Sequence, residues 1–399
     1  MTSEILIMTP SAIAMAADSV VTVNNNKTYE GVNKLFMLSN NPPMGIMIFN
    51  NSEFLGIPYE TIIKHFRTKI IDENVNTVTE FREKFREYLE TETKKNFLIK
   101  HTLKDKIDIF IRKINGDISN FNEDTLDEWM KNNKELNIFE EYTHIFSEEL
   151  LNYLNNQIDM ISPTFLEEEK KLLFNTILKN LFIEVMINAP FTGVAIVGFD
   201  QDKLLPSFTL FHVKYLYEDK FTLEVLEEDS IGKKRVIFLP LAQTDVIESF
   251  LNGIDEHTEY HLKTYFLDMF RRYHAALINI IHEDDIIPPE IIDELDRVMS
   301  MVRKQENILV TGFDDMVSGI KFNNRNQILD YITSLPKEEL SNLAESLINV
   351  TSLKRKVQDG IETVGGDIDV AIITKNDGFV WTKRKHYFKP ELNPQFFNK

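Results

Sequence analysis

Ser3-Glu4-Ile5-Leu6-Ile7-Met8, then Ala12-Ile13-Ala14-Met15-Ala16-Ala17-Asp18-Ser19, then Gly31-Val32-Asn33-Lys34-Leu35-Phe36-Met37-Leu38 open the chain. Two short apolar runs flank the breaker Thr9-Pro10-Ser11, which predicts a hairpin whose second strand is built from small residues. Leu35 to Leu38 and Met44 to Phe49 flank a second breaker, Asn40-Asn41-Pro42-Pro43, and predict another strand pair. The chain therefore starts as antiparallel sheet. Three residues interrupt this apolar start: Thr2 behind Met1, Asp18 at the end of the small-residue strand, and Lys34 before the next strand.

Outward from there the period changes. From Tyr59 the spacing is helical, with Phe81, Phe85, Tyr88 and Leu89 on one stripe behind a Thr77-Val78-Thr79-Glu80 capping box. Helices are expected to about Met186, one of them opening at Ser162-Pro163 and burying Leu172, Leu173, Phe174, Ile177, Leu178 and Leu181. Strands return at Gly193 to Phe199, Ser207 to Tyr217, Phe221 to Leu226 and Arg235 to Leu239, read as a meander. Helices fill most of 241–350, broken at Pro288-Pro289, and the last begins near Ser334-Leu335-Pro336. Asp369 to Thr374 and Phe379 to Trp381 flank Lys375-Asn376-Asp377-Gly378, a hairpin signal. Strands and helices in blocks argue α+β rather than a doubly wound fold.

Composition narrows the function classes. Asp plus Glu is 63 against 44 Lys plus Arg, a formal charge of −19 that repels phosphate backbones, so no nucleic-acid partner is expected. A 43% hydrophobic chain with 29 Phe and 12 Tyr can fill a core, which excludes wholesale disorder. Without cysteine there is no disulfide framework, thiolate cluster or Cys nucleophile. The start carries no basic leader, and the apolar stretch 181–199 is broken by Glu184, Asn188 and Pro190, so a soluble, cytoplasmic protein with no membrane partner is expected. Phosphate-binding loops, dinucleotide fingerprints, the zinc protease pair and the serine elbow are all missing from the sequence. His257 and His261 share a helical face but have no evident third ligand; no metal and no cofactor is expected. The tail segment Lys383-Arg384-Lys385-His386 reads as a solvated charged terminus.

Thr2, Asp18 and Lys34 carry the one chemical reading. If Met1 is removed, Thr2 holds a hydroxyl and a free α-amine on one residue, and the amine can act as base for its own hydroxyl. A cation beside that amine would favour its neutral, proton-accepting form, and Lys34 is the candidate. Asp18 would anchor Lys34. The strand end at Phe49 and Asn50 is where backbone N–H groups for an oxyanion are expected.

The runs Ala16-Ala17-Asp18-Ser19, Gly31-Val32-Asn33-Lys34-Leu35 and Gly45-Ile46-Met47 resemble proteasome β-type subunits and their bacterial proteasome-like relatives, which are N-terminal nucleophile (Ntn) hydrolases. In that family the mature threonine, the Asp and the Lys are equally spaced, and 16 residues separate each pair here, which selects Thr2 over Ser3. Ala195 to Asp200, Leu204 to Val213, Leu335 to Val350 and Gly365 to Ile372 are similar to later family segments. The resemblance implies an αββα sandwich of two antiparallel sheets with helical layers. It implies a single Ntn-hydrolase-like domain over 1–399, with helical insertions at 65–185 and 256–334 and a tail at 381–399. Where the family supports its amine with an Asp and a Ser before the Gly-Gly, Asp359, Glu362 and Thr363 are the stand-ins, and Thr244 stands in a second loop. It further implies a threonine peptidase acting on peptide or protein substrate, a homo-oligomer, in ring form, and an ATP-dependent unfoldase as partner. Two rivals accompany it: a catalytically inactive structural or regulatory assembly protein, and an Ntn amidase acting on a small molecule.

Overall fold

The computed structural model describes residues 3–23, 27–71, 73–95, 104–105, 107–109, 111–112, 146–161, 166–183, 190–217, 220–232, 235–283, 288–357, 365–386 and 388–393. The N-terminal half supplies strands β1 (Ser3–Met8), β2 (Ile13–Ala17), β3 (Val21–Val23), β4 (Lys27–Tyr29), β5 (Leu35–Asn40), β6 (Pro43–Asn50), β7 (Glu53–Phe54) and β8 (Ile57–Pro58). Helices α1 (Tyr59–Ile70), α2 (Val78–Lys95), α3 (Glu148–Ile161) and α4 (Glu167–Phe182) follow, then β9 (Phe191–Gly198), β10 (Ser207–Tyr217), β11 (Lys220–Ser230) and β12 (Ile237–Ala242). The chain continues through α5 (Asp245–Asn252), α6 (Glu256–Glu283), α7 (Pro289–Arg303), α8 (Glu306–Thr333) and α9 (Lys337–Val357) to β13 (Asp369–Thr374) and β14 (Gly378–Lys383). The architecture is mixed α+β, with one five-stranded sheet in the order β12-β1-β2-β13-β14 and another in the order β11-β10-β9-β6-β5.

Two compact units divide the chain, one of residues 1–45, 197–207 and 230–399, the other of 46–196 and 208–229. In the first, every pairing of the sheet β12-β1-β2-β13-β14 is antiparallel. The hairpin β1-β2 forms as the alternating apolar runs require, with Thr9 N–H donating to Ala12 O across the turn. β1 and β2 are buried on both faces, which explains why they read as nearly continuous apolar runs. One face takes the stripe Leu340, Ala344, Leu347 and Ile348 of α9 against Ile5, Ile7, Ala14, Ala16 and Val370. The three large aliphatic side chains of that stripe stabilise the layer by about 1.5–3 kcal/mol each. Toward the other face β6 begins so close that a Cβ on Gly45 would lie 2.9 Å from both Ile373 Cδ1 and Met15 Sδ. A larger residue there would have to displace these side chains.

In the second unit α1 and α2 pack by Phe66 and Phe85, whose rings meet edge to face at 5.1 Å. The expected capping box of α2 is present: Thr77 Oγ1 accepts from Glu80 N–H at 3.1 Å and Glu80 Oε2 accepts from Thr77 N–H at 3.2 Å. α4 buries Leu173, Ile177, Leu178 and Leu181 against Leu150, Leu154 and Ile158 of α3. Leu172 and Phe174 of the expected stripe are only part-buried. The expected helix start at Ser162-Pro163 lies outside the described residues, and α4 is described from Glu167.

Two readings are corrected. The strands after Gly193 are not one meander: β12 leaves β11 and pairs with β1 along Ser3↔Ala242 to Met8↔Ile237. Its Phe238, with Val236 just before the strand, joins the core that holds Ile5 and Ile7 of β1, a choice that local periodicity does not encode. The basic segment after Trp381 is not simply solvated. The Lys385 side chain is 7% exposed and pairs with the buried Asp369, whose Oδ1 also accepts the Lys385 N–H at 2.8 Å.

Candidate active site

β1, β2 and the segment before β5 converge at one end of the first unit. Asp18 follows the last residue of β2, and its N–H donates to Ser3 O at 3.1 Å, so the hairpin closes on the start of β1. The Asp18 carboxylate turns back on the same place: Oδ1 accepts Ser3 N–H at 3.0 Å, and Oδ2 accepts Gly365 N–H at 3.1 Å. Lys34, before β5, reaches Asp18 Oδ1 with Nζ at 2.5 Å and donates to Val20 O at 2.8 Å. Asp18 and Lys34 are at most 2% exposed. A charge-assisted bond this short and this well shielded from water holds both groups in one geometry.

The structure adds a residue that the sequence reading passed over. Glu4 is fully buried, and its Oε1 lies 3.3 Å from Lys34 Nζ. The ammonium is thus ringed by Asp18, Glu4 and the Val20 carbonyl, two acids to one cation. The signal was present as a lone charge between Ser3 and the apolar run Ile5 to Met8. Period-2 alternation puts it on the face opposite Ser3 and Ile5.

Glycine shapes the far wall. Gly366 has φ +69°, and a Cβ there would meet Ser19 Oγ at 2.4 Å. The Gly-Gly pair therefore lets the chain before β13 pass close to the Asp18-Ser19 corner, where Ser19 N–H donates to Gly365 O at 3.3 Å. Ser3 Oγ and Ser19 Oγ are buried beside this corner without a hydrogen-bond partner among the described residues. Buried hydroxyls without a partner are uncommon in native structures.

Of the expected site residues, the structure brings Asp18 and Lys34 together. Thr2, Asp359 and Thr363 lie outside the described residues, as does Glu362. Phe49 and Asn50 end β6 in the second unit: Phe49 is buried beside Gly193, and Asn50 has φ 72° with its Nδ2 donating to Phe191 O at 2.9 Å. Thr244 directly precedes α5, and its carbonyl accepts Glu248 N–H at 2.8 Å. His257 and His261 do face each other, Nε2 to Nε2 at 3.0 Å on α6. Among the described residues no three side chains group to hold a metal, and no helix is long and apolar enough to cross a membrane.

No family model matches the chain, and no curated protein matches it. Matching solved structures include Anbu (ancestral beta-subunit) from Yersinia bercovieri, with 7% identity over 99% of this chain and 93% of that one, at a TM-score of 0.33. Anbu from Hyphomicrobium sp. strain MC1 matches with 9% identity over 100% and 97% of the two chains at a TM-score of 0.32. The helical assembly of the Anbu complex from Pseudomonas aeruginosa matches with 7% identity over 99% and 92% at a TM-score of 0.34. These neighbours correct the sequence resemblance: they are ancestral beta-subunit proteins, a family distinct from the proteasome β-type subunits and bacterial relatives expected above, and the likeness is weak even to them. The motifs behind that resemblance are short, so they describe a local corner and not a family.

Proposed function

We propose that the chain is an amide-bond hydrolase in which Thr2, exposed by removal of Met1, is an N-terminal nucleophile. The observation that supports it best is the shared carboxylate oxygen: Asp18 Oδ1 binds both the Ser3 N–H, the amide that follows residue 2, and the Lys34 ammonium. An acid-anchored lysine is thus tied to the start of β1. In the proposed reaction the Thr2 amine takes the hydroxyl proton while Oγ bonds to the substrate carbonyl carbon. The same proton passes to the leaving amine as the C–N bond breaks, leaving an ester on Thr2. Water, deprotonated by the amine, then cleaves the ester and restores the hydroxyl. Lys34 favours the neutral amine and steadies the oxygen, and Asp18 holds Lys34. Asp359 and Thr363 support the amine.

The reading includes peptide or protein substrate, homo-oligomeric assembly as a ring, an ATP-dependent unfoldase partner and a cytoplasmic setting. It takes 65–185 and 256–334 as helical insertions in one domain over 1–399. Hydrolysis of a fluorogenic peptide panel and of small amides, each with Thr2→Ala and Lys34→Met as controls, tests it. Turnover of peptides that both substitutions abolish is expected. Turnover of small amides alone would make the protein an amidase, and activity that survives Thr2→Ala would end the proposal.

A second reading is favoured by Glu4. With two acids and a carbonyl around it, the Lys34 ammonium is already engaged by buried oxygens, as in a network that serves only to fix the sheet. A non-catalytic assembly protein would have that network and keep Met1.

A further inference from the structure

α6 is 28 residues long and carries two apolar stripes, of which the fold uses one. The inner arc is satisfied within the first unit: Phe266 stacks on Phe313 of α8 at 5.9 Å, and His274 Nε2 bonds Met299 O of α7 at 2.8 Å. Lys263 pairs with Asp314 at 2.7 Å and Lys321 with Glu259 at 2.5 Å, tying the same side of α6 to α8. A third of a turn away, Leu262, Tyr265, Met269, Tyr273 and Ile280 run at spacings of three, four, four and seven, with the exposed Ala276 filling the gap. At 100° per residue all six fall within an arc of about 80°, the width of a coiled-coil seam. The five large side chains are 48–68% exposed, and no charged residue interrupts them.

We propose that this stripe is a self-association surface on which a second copy of the chain lays its own α6 antiparallel across a twofold axis. Three observations select that occupant. Reversing the helix about position 271 carries Leu262 onto Ile280 and Met269 onto Tyr273. Four of the six stripe residues thus face one another across the axis, as an isologous contact requires. The exposed area of the six side chains is on the order of 600 Å², and flanking residues bring it near the roughly 800 Å² per partner of a stable interface. Asp268 and Arg272, paired at 2.8 Å beside the stripe, come within reach of the Arg272 and Asp268 of the reversed copy. The inference is independent of the proposed hydrolysis.

The absence of cysteine makes the test clean. In Leu262→Cys/Ile280→Cys the two thiols of one chain stand about 27 Å apart along the helix. They can close disulfides only with the reversed copy. Mild oxidation of the full-length double variant is expected to give a covalent dimer, while Leu262→Cys or Ile280→Cys alone gives none. Sedimentation of the unsubstituted chain should show a dimer or a multiple of one, reduced by half in Tyr265→Glu/Tyr273→Glu with its circular dichroism unchanged. Cross-linking by either single variant would mean a different geometry and overturn the antiparallel pairing. A wild-type chain that sediments as a monomer, or a double variant that stays uncross-linked, would overturn the surface itself.

Discussion

Replacing Asp18 by Asn keeps the size of the side chain and removes its charge from a site where almost no water can compensate. One carboxylate now receives the Lys34 ammonium at 2.5 Å, the Ser3 N–H at 3.0 Å and the Gly365 N–H at 3.1 Å. An amide offers one oxygen where two worked, and its NH2 must face a donor. Breaking a buried ion pair by neutralising one partner costs about 3–5 kcal/mol. Glu4, 3.3 Å from Nζ, still offsets part of the lysine charge, so the lower end, about 3 kcal/mol, is expected. Urea unfolding reads this as a fall in midpoint at constant slope. Lys34→Met should cost a similar amount, because it leaves Asp18 and Glu4 as two buried acids without their shared cation. The double variant Asp18→Asn/Lys34→Met exchanges the pair for neutral groups, and should lose at least about 2 kcal/mol less than the two singles combined. A loss below about 1 kcal/mol for Asp18→Asn would refute the reasoning. So would additivity within about 0.5 kcal/mol.

Other consequences follow from packing and burial. Burial pushes the Tyr59 phenol far above its ordinary range, so it stays protonated in the folded chain while the unfolded chain ionises near pH 10. The folded state then binds the extra proton, stability falls as pH rises above about 10, and the slope from one such group is about 1.4 kcal/mol per pH unit. Tyr59→Phe should remove that increment from alkaline unfolding curves, although Tyr88, pushed up to about 12 by burial and by Glu92, adds its own. Identical slopes for the two proteins would contradict this. In the second unit a Cβ on Gly193 would sit 2.0 Å from Phe49 Cζ. Gly193→Ala should therefore cost about 1–3 kcal/mol in the same urea assay, and Phe49→Leu should recover most of it. No recovery would show that the strain lies elsewhere.

What was legible in the sequence was what neighbouring residues decide. The β1-β2 hairpin shows in two apolar runs about Thr9-Pro10-Ser11, α2 in its capping box, and the β13-β14 turn in Lys375 to Gly378. The choice of sheet for β12 was not legible, since Ile237 to Ala242 suits either sheet until β1 offers an edge 230 or so positions away. Asp18 and Lys34 were found because one ends an apolar run, the other precedes the next, and they stand 16 residues apart. Glu4 was overlooked: a lone acid near a chain start reads as solvated until the fold closes around it. The burial of the Lys385 side chain was hidden for a related reason, because its partner Asp369 lies 16 residues earlier at the start of a strand. The family reading failed where it leaned on short motifs, which describe a corner of the site and say little about the path of the remaining chain.

The central claim is that Thr2 is an N-terminal nucleophile beside an acid-held lysine. Intact-mass analysis of purified protein before and after a β-lactone or epoxyketone probe tests it most directly, with Thr2→Ala as control. The account predicts a chain lighter by one methionine residue that takes up one probe on Thr2, and no uptake by the control. A chain that retains Met1, or equal labelling of the Thr2→Ala variant, would contradict it.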